Sequence, residues 1–223
     1  MSDLAIYDMD RTVTRRATYT PFLLHCARRR QPWRLALAPV AAGAMLAYVA
    51  KAIDRARLKE INHALMLGHL IHPSDLKPLV ESFADATIAG NIRPGALRAI
   101  AGDKAEGRRL VLATASYRLY AAAIAARLGF DDVVATGSTI GLGEALVARI
   151  EGENCYGPAK KRMLDRWLDD VQLSGRHGHV RFYSDHASDA PVFEWANEPV
   201  AVNPHARLAR LARERGWRIE DWG

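Results

Sequence analysis

Cysteine is scarce in this chain of 223 residues. Its two cysteines, Cys26 and Cys155, lie far apart and belong to no CxxC or Cys/His cluster. This excludes a disulfide scaffold and argues against a structural zinc site. The opening MSDLAIYDMD is acidic and enters a strand pattern at once, so it does not have the form of a secretion signal. We therefore expect a reduced, cytoplasmic protein.

Signals for nucleic-acid binding are also lacking. The chain contains no zinc-finger spacing, no helix-turn-helix pattern and no aromatic strand platform, so nucleic acid is disfavoured as a partner. What the sequence does have is basic charge: 31 Lys and Arg against 25 Asp and Glu give a net charge of +6. This excess suits an anionic partner, such as a phosphorylated small molecule or an anionic membrane surface. The oligomeric state does not follow from any of these features.

Helix and strand patterns divide the chain into three stretches. Residues 4–7 are a short apolar run that ends in acidic residues, as in a buried parallel strand. Residues 21–89 are rich in alanine and leucine and favour helices, whereas later residues alternate helices with strands and include a predicted hairpin around residues 141–143. This predicts an α/β fold: a doubly wound, mainly parallel, Rossmann-like sheet with an inserted all-helical cap. The core would comprise residues 1–14 and 88–223, and the cap residues 15–87.

Two acidic residues follow the first predicted strand, in the segment YDMDRTVT. Ligands of open α/β sheets bind beyond the carboxyl ends of the strands, so we expect Asp8 and Asp10 at that edge. Carboxylates one residue apart on an extended chain point in different directions. One can therefore attack phosphorus while the other reaches the leaving oxygen. By itself this motif is weak, because a solvated acid at a strand end is common.

Two further segments offer phosphate ligands. LATAS places Thr114 and Ser116 before a helix, where a hydroxyl and free N–H groups can bind phosphate, although an ordinary helix cap has the same pattern. CYGPAKKRML places Lys160 in the first turn of a helix, against the helix dipole. Neutralising a phosphoryl group and its acceptor carboxylate would explain a lysine there.

A last segment, YSDHASDAP, ends a strand with Asp185 and adds Asp189. Together with Asp8 they supply hard oxygen ligands suited to Mg²⁺. His186 lies between them and is expected beside the site or at its entrance rather than as a catalytic base.

These four motifs, in this order, resemble the haloacid dehalogenase superfamily of phosphohydrolases. The helical insert after the first motif is similar to the subgroup that includes phosphoserine phosphatase. The ending AVNPHARLARLARERGW resembles small bacterial hydrolases near phosphatidylglycerophosphatase-type enzymes. The resemblance covers nearly the whole chain, and the combination is far more specific than any one motif.

The resemblance implies a role for each matched residue. Asp8 would attack the phosphate and become phosphorylated, and Asp10 would protonate the leaving alkoxide and then activate water. Asp8, the main-chain carbonyl of Asp10, and Asp185 would hold Mg²⁺. The remaining implied roles are phosphate binding by Thr114 and the N–H of Ala115, charge neutralisation by Lys160, and orientation of Lys160 or the metal's waters by Asp189.

Departures from the family pattern bear on the substrate. Ser184 stands where the family most often has Gly, and His186 where Ser or Gly is common, but neither position supplies a main ligand. Phosphoserine phosphatases have a glutamate for the substrate's amino group where this chain has Ala17, flanked by Arg15 and Arg16. We therefore expect a substrate with extra negative charge, or an anionic surface nearby, with Arg15, Arg16 and His186 at the entrance.

Residues 35–50 contain no charged side chain, and basic residues flank them on both sides. As a helix they would span about 24 Å at ~1.5 Å per residue, short of the roughly 20 residues of a membrane span. Pro39 and Gly43 also interrupt the run. Two alternatives stay open: burial inside the cap as a helical hairpin, or contact with a membrane whose anionic headgroups meet the flanking arginines.

The sequence favours an active, Mg²⁺-dependent phosphomonoester hydrolase. Its substrate would be a small phosphorylated metabolite or a lipid headgroup phosphate, and in the lipid case the cytoplasmic protein would contact the inner face of the membrane. The alternative is a catalytically silent protein that uses the same fold to bind a phosphorylated ligand or a membrane. The presence of the complete set argues against silence: Asp8, Asp10, Thr114, Lys160 and Asp185.

Overall fold

The strands form one mixed sheet. A computed structural model describes residues 2–223, in which eight strands lie in the order β2-β5-β4-β3-β1-β6-β7-β8. They are β1 (Leu4–Tyr7), β2 (Leu70–Ile71), β3 (Arg109–Tyr117), β4 (Asp132–Ile140), β5 (Leu146–Glu151), β6 (Val180–Ser184), β7 (Glu198–Val202) and β8 (Arg218–Glu220). Pairings from β4 through β8 are parallel, and β5 runs antiparallel to β4 and β2. The predicted α/β class with a mainly parallel sheet is confirmed.

Helices cover both faces of this sheet. They are α1 (Tyr19–Arg30), α2 (Ala38–Val49), α3 (Arg55–Met66), α4 (Pro73–Gly90), α5 (Pro94–Ala105), α6 (Arg118–Leu128), α7 (Pro158–Asp170), α8 (Ala190–Trp195) and α9 (Ala206–Arg215). In β1, Leu4 and Ile6 belong to one apolar cluster, Ala5 and Tyr7 belong to the other, and all four are fully buried. A strand covered on both faces needs an apolar side chain at every position, which explains the uninterrupted run in the sequence.

The position of β1 in the sheet determines where the polar motifs meet. It lies between β3 and β6, with Tyr7 opposite Leu112 on one side and Tyr183 on the other. Because all three strands are parallel, their carboxyl ends lie at one edge of the sheet. The motifs that follow Tyr7, Leu112 and Tyr183 therefore converge.

The residues between β1 and β3 are mainly helical. Strand β2 is an exception: it pairs with β5, so this insert also adds a two-residue strand beside the predicted hairpin of β4 and β5, which is present. Helix α4 has His72 as its N-cap, and it runs through residue 88, where the sequence predicts the second core segment to begin. The division into residues 1–14, 15–87 and 88–223 stays a prediction.

Helix α2 lies on the surface of the insert. None of its residues is buried, and Leu46 and Val49 are 71% and 69% exposed. Burial inside the cap, one of the two alternatives for residues 35–50, is therefore wrong for this helix. The physical reason is that α2 packs mainly against α3 and the preceding turn, Pro32–Leu37, which leaves most of its side chains exposed. By length and composition alone, Pro32–Val49 would suffice to cross a membrane.

Candidate active site

The chain turns sharply after β1, within residues Met9–Val13. Arg11 adopts a left-handed conformation with φ of 66°, which is uncommon for a residue other than glycine. Two bonds hold the turn: the Arg11 N–H donates to Thr14 Oγ1 at 3.2 Å, and the Thr14 N–H donates to Met9 O at 2.9 Å. This turn allows Asp8 and Asp10 to face different partners, as the sequence predicts.

A cavity of about 510 Å³ lies at the carboxyl edge of the sheet, under the insert. The predicted site residues that line it are Asp8, Asp10, Thr114, Ala115, Lys160, Asp185, His186 and Asp189. Within residues 2–223, Arg15 and Arg16 do not line it, contrary to their predicted place at the entrance. The Arg15 side chain instead donates to Ile92 O at 3.3 Å, and Arg11 takes the position at the rim.

Lys160 lies at the floor of the cavity between two carboxylates. Its Nζ donates to Asp8 Oδ1 and to Asp189 Oδ2, both at 2.7 Å, and Ser184 Oγ also donates to Asp189 Oδ2 at 2.8 Å. Helix α7 supplies the lysine from its first turn, as the sequence indicates. Asp189 therefore orients Lys160 toward Asp8, and Ser184, the departure from the family's Gly, is part of that arrangement.

The charges on this floor interact strongly. Burial raises the pKa of the Asp8 carboxyl; the Lys160 ammonium opposes that rise, and Asp189 and Asp185 add to it. Burial alone would disfavour the Lys160 ammonium, but Asp189 and Asp8 together raise the pKa of this lysine above its usual value. Burial also raises the pKa of Asp185, against the effect of His205 and His186.

The donor set fits a magnesium ion. Thr12 Oγ1 donates to Asp8 Oδ2 at 3.2 Å and lies 3.5 Å from Asp185 Oδ1, so these two carboxylates share one neighbour. One buried oxygen nearby, Asp189 Oδ1, has no partner among the described residues. No three His, Cys, Asp or Glu side chains in residues 2–223 are placed to hold a metal alone, so the main-chain carbonyl of Asp10 would complete the set. Hard oxygen donors and excess negative charge are what Mg²⁺ requires.

Asp10 is held away from the floor by hydroxyl groups. Its Oδ1 accepts bonds from the N–H and the Oγ1 of Thr18, both at 2.7 Å, and its Oδ2 accepts a bond from Ser116 Oγ at 2.6 Å. Tyr120 OH in turn donates to Ser116 Oγ at 2.6 Å. The side chain of Asp10 is therefore fixed by Thr18 and Ser116, whereas that of Asp8 is bonded to Lys160.

The end of β3 forms the second wall. Thr114 is fully buried, and its Oγ1 accepts a bond from the Ser116 N–H at 3.0 Å. The carbonyl of Ala115 accepts bonds from Thr136 Oγ1 at 2.8 Å and from the Nζ of Lys59, a residue of α3. This carbonyl is directed away from the cavity floor and into contact with the insert.

Several residues of the site receive no role from the sequence motifs. Thr12 lies inside the first motif and Thr18 follows it closely, and a hydroxyl beside a predicted acid is the signal that points to both. The guanidinium of Arg11 lies 3.2 Å from His205 Nε2, and that nitrogen lies 3.2 Å from Asp185 Oδ2. Lys59 belongs to no motif, and His205 lies in the segment AVNPHARLARLARERGW, where nothing local assigns it to the site; both reach the site only through tertiary packing.

A family comparison decides what kind of protein has this arrangement. Residues 5–194 match the haloacid dehalogenase-like hydrolase family. The chain belongs to this family. The match runs from β1 into α8 and so includes each of the four motifs, which confirms the resemblance drawn from them. A hydrolase is thereby established as the class of protein.

Two relatives of this hydrolase illustrate how the similarity is distributed. The phosphoserine phosphatase SerB1 of Mycobacterium tuberculosis is 32% identical over 153 residues, which is 67% of this chain and 47% of SerB1. The chain thus spans about half the length of that relative. A Bordetella pertussis Tohama I protein of unknown function has a solved structure with a TM-score of 0.87 and 26% identity, and the alignment covers 100% of both chains.

A third comparison concerns fold alone. A structure of phosphoserine phosphatase as a phospho-aspartyl intermediate analogue aligns with a TM-score of 0.61 and 14% identity, over 98% of this chain and 92% of that one. At this identity the comparison shows that the two share a fold, and the substrate has to be argued from the cavity itself.

Proposed function

We propose that the hydrolase is an Mg²⁺-dependent phosphatase that cleaves phosphomonoesters through a phospho-aspartate on Asp8. The observation that supports this most directly is the placement of Lys160, whose Nζ lies 2.7 Å from the carboxylates of both Asp8 and Asp189. A phosphate dianion repels a carboxylate nucleophile, so the nucleophile needs a fixed cation beside it. Lys160 supplies that cation at the oxygen next to the attacking one.

The chemistry uses two carboxylates in turn. An Asp8 oxygen forms a bond to phosphorus while the ester P–O bond breaks, and Asp10 donates its proton to the departing alkoxide. Asp10 then accepts a proton from water as the water oxygen attacks phosphorus, which breaks the bond to Asp8 and releases phosphate. Thr114 and the N–H of Ala115 bind the phosphate oxygens during both steps.

A magnesium ion held by Asp8, Asp185 and the main-chain carbonyl of Asp10 would supply charge compensation for the phosphate oxygens. The groups that hold Lys160 and Asp10 in position are side chains of the protein itself. Asp189 and Ser184 keep Lys160 in place, and Thr18 and Ser116 keep Asp10 turned toward the side from which the leaving group departs.

The upper walls of the cavity favour a leaving group without positive charge. Within the described residues, every carboxylate that lines the cavity comes from the core, whereas the insert contributes Arg55 and Lys59 together with Met45 and Tyr48. Ala17 also lines the wall and offers nothing to an amino group. A small phosphorylated metabolite with extra negative charge, or a lipid headgroup phosphate, fits these walls better than a free amino acid phosphate.

Phosphate release from a panel of phosphomonoesters tests the proposal. Wild type is compared with Asp8→Asn and with Asp170→Asn, a matched change at an exposed residue of α7, with Mg²⁺ or with chelator. We expect Mg²⁺-dependent release that Asp8→Asn abolishes and Asp170→Asn preserves. Phosphate binding by folded, Mg²⁺-loaded wild type without release from any ester would favour the silent binding protein instead.

We also propose that α2 contacts an anionic membrane and admits lipid phosphates to the site. Three observations support this: α2 exposes Leu46 and Val49, basic residues flank it at both ends, and Met45 and Tyr48 of the same helix line the cavity. An apolar helix with basic flanks is suited to an interface with anionic headgroups. The location would then be the cytoplasmic side, which the two free, buried cysteines support.

Sedimentation with vesicles tests the membrane contact. Phosphatidylglycerol vesicles should pellet the wild type at low salt, phosphatidylcholine vesicles should pellet much less, and the double variant Leu46→Glu/Val49→Glu should stay in the supernatant with its activity on soluble esters intact. Equal recovery of wild type and double variant with both vesicle types would contradict the contact.

A further inference from the structure

Lys59 is a buried cation of the insert that the proposed chemistry does not use. It lies in α3 with 5% of its surface exposed, and it is one of the residues that line the catalytic cavity. Among residues 2–223, no carboxylate lies within ion-pair distance of it. Burial lowers the pKa of this lysine to about 7; the nearby Arg55 adds to the effect, and Asp10 and Cys155 oppose it. A buried lysine with no carboxylate in direct contact costs stability, which a functional role would offset.

The partners of Lys59 are two neutral oxygens of the core. Its Nζ donates to the main-chain carbonyl of Ala115 and, at 2.7 Å, to Asn154 Oδ1. Thr136 Oγ1 contacts the same two oxygens, at 2.8 and 3.1 Å, and accepts a bond from the Cys155 N–H at 3.1 Å. One side chain of the insert thus joins a hydrogen-bonded cluster of the core, which consists of Ala115 O, Asn154 Oδ1 and Thr136 Oγ1.

This hydrogen-bonded cluster joins the two segments whose residues would bind the phosphate. Ala115 lies in Thr114–Ser116, the irregular last part of β3, and Asn154 lies in the loop that leads into α7 and Lys160. A carbonyl fixed by two donors also fixes the plane of its peptide and limits the rotation of its neighbours. The contact that Lys59 of α3 makes therefore affects the position of both of these segments.

We infer that Lys59 is a positioning residue that couples closure of the insert over the cavity to the geometry of the phosphate-binding segment Thr114–Ser116. The inference rests on the proposed phosphatase function for its consequence. When α3 lies over the core, Lys59 holds the Ala115 carbonyl and the Asn154 side chain together; when α3 moves away, both lose their donor. The phosphate site is complete only in the closed arrangement.

The test uses Lys59→Met, Lys59→Gln and the control Lys77→Met, a matched change at an exposed lysine of the insert. Two esters are compared, phenyl phosphate and 4-carboxyphenyl phosphate, which differ only in a carboxylate on the leaving group. We expect Lys59→Met to lower kcat/KM by about 10- to 100-fold for both, since small misplacements of binding groups have effects of that size. Lys59→Gln keeps N–H donors without the charge and should recover part of the loss, while Lys77→Met should change nothing.

Hydrogen exchange gives a readout that does not depend on catalysis. Lys59→Met should speed amide exchange in residues 114–117 and 154–156, and Lys77→Met should not. Unchanged exchange in both segments would overturn the inference, as would a loss of activity confined to the carboxylate-bearing ester, which would make Lys59 a contact of the leaving group. If wild type hydrolyses neither these esters nor any member of the phosphomonoester panel, the proposed function fails, and the exchange result still decides the role of Lys59.

Discussion

The floor and the roof of the cavity each contain one buried lysine, and the two have opposite surroundings. Lys160, on the core side, has two carboxylate partners at 2.7 Å, and they raise its pKa. Lys59, on the insert side, has two neutral oxygen partners, and burial lowers its pKa to about 7. The floor is built around paired charge, whereas the roof holds a cation that burial disfavours.

The floor and the roof of the site are therefore specialised in different ways. A buried ion pair is broken at high cost when one partner is removed, because the other charge is then left without compensation. A lone buried lysine has the opposite property, since removing it relieves a desolvation cost. We therefore expect Lys160 to be needed for both fold and chemistry, and Lys59 to be needed for activity at the expense of stability.

The largest effect is expected from Lys160→Met. It leaves Asp8 and Asp189 buried without their cation, so we expect a loss of about 3–5 kcal/mol in unfolding free energy. Removing a group that stabilises developing charge should also lower kcat by about 10²- to 10³-fold or more. Denaturation and steady-state kinetics check both, with Lys161→Met on the same helix as control. A Lys160→Met variant with the stability and activity of wild type would show that Lys160 is not needed for fold and chemistry.

The next effect is a pH dependence of stability that belongs to Lys59. Below pH 7 the lysine is protonated in the folded and unfolded chain alike, and its burial destabilises the fold. Between pH 7 and the ordinary pKa of 10.5, only the unfolded chain keeps the proton, so this group makes the unfolding free energy rise with pH by about 1.4 kcal/mol per unit.

Lys59→Met should therefore be more stable than wild type near pH 6. This difference in unfolding free energy should shrink steadily between pH 7 and pH 10. Chemical denaturation of the two proteins across this range measures the difference. Stability curves that stay parallel over the whole range would show that the lysine keeps its proton in the folded chain, and that the two lysines differ less than we argue.

A smaller effect concerns the metal. Magnesium at 100 times its Kd should stabilise the folded chain by about 2.7 kcal/mol, because it binds only the assembled floor. Thermal denaturation with Mg²⁺ and with chelator should show this gain in wild type and in Lys59→Met, and its loss in Asp185→Asn. Retention of the full gain by Asp185→Asn would place the ion elsewhere.

The smallest effect is expected one turn along α3, at His63. Both ring nitrogens of His63 are buried and unpaired among the described residues, the ring contacts Tyr117 edge-on at 5.4 Å, and burial lowers its pKa to about 4. His63→Phe keeps the ring contact and removes the unpaired polar atoms, so the unfolding free energy should rise by about 1 kcal/mol. Activity should stay constant, because His63 does not line the cavity. A clear drop in kcat would extend the functional face of α3 beyond Lys59.

The floor was accessible from the sequence because it follows from local patterns and strand order. Asp8, Thr114 and Asp185 each follow or end a parallel strand, and such strand ends meet at one edge whatever the details of packing. Lys160 was visible because a lysine in a first helical turn opposes the helix dipole. These signals need only a few neighbouring residues.

The roof was not accessible in this way. Arg15 and Arg16 were expected at the entrance, but their N–H groups donate to Asn91, which ties this segment to the end of α4. Lys59 is one basic residue in an amphipathic helix, and nothing local shows which side of that helix meets the core. Helix α2 was equally ambiguous, because an apolar run has the same composition whether protein or another surface covers it.

The most direct test of the account is whether Asp8 accepts the phosphoryl group. Wild type and Asp8→Asn would be mixed with phenyl phosphate and Mg²⁺, quenched in acid within the first turnovers, and digested for mass spectrometry. We expect a phosphate on the wild-type peptide that contains Asp8. Hydroxylamine should remove this phosphate, and the Asp8→Asn protein should lack it. Steady release of phosphate with an unmodified Asp8 peptide, or with the label on another residue, would contradict it.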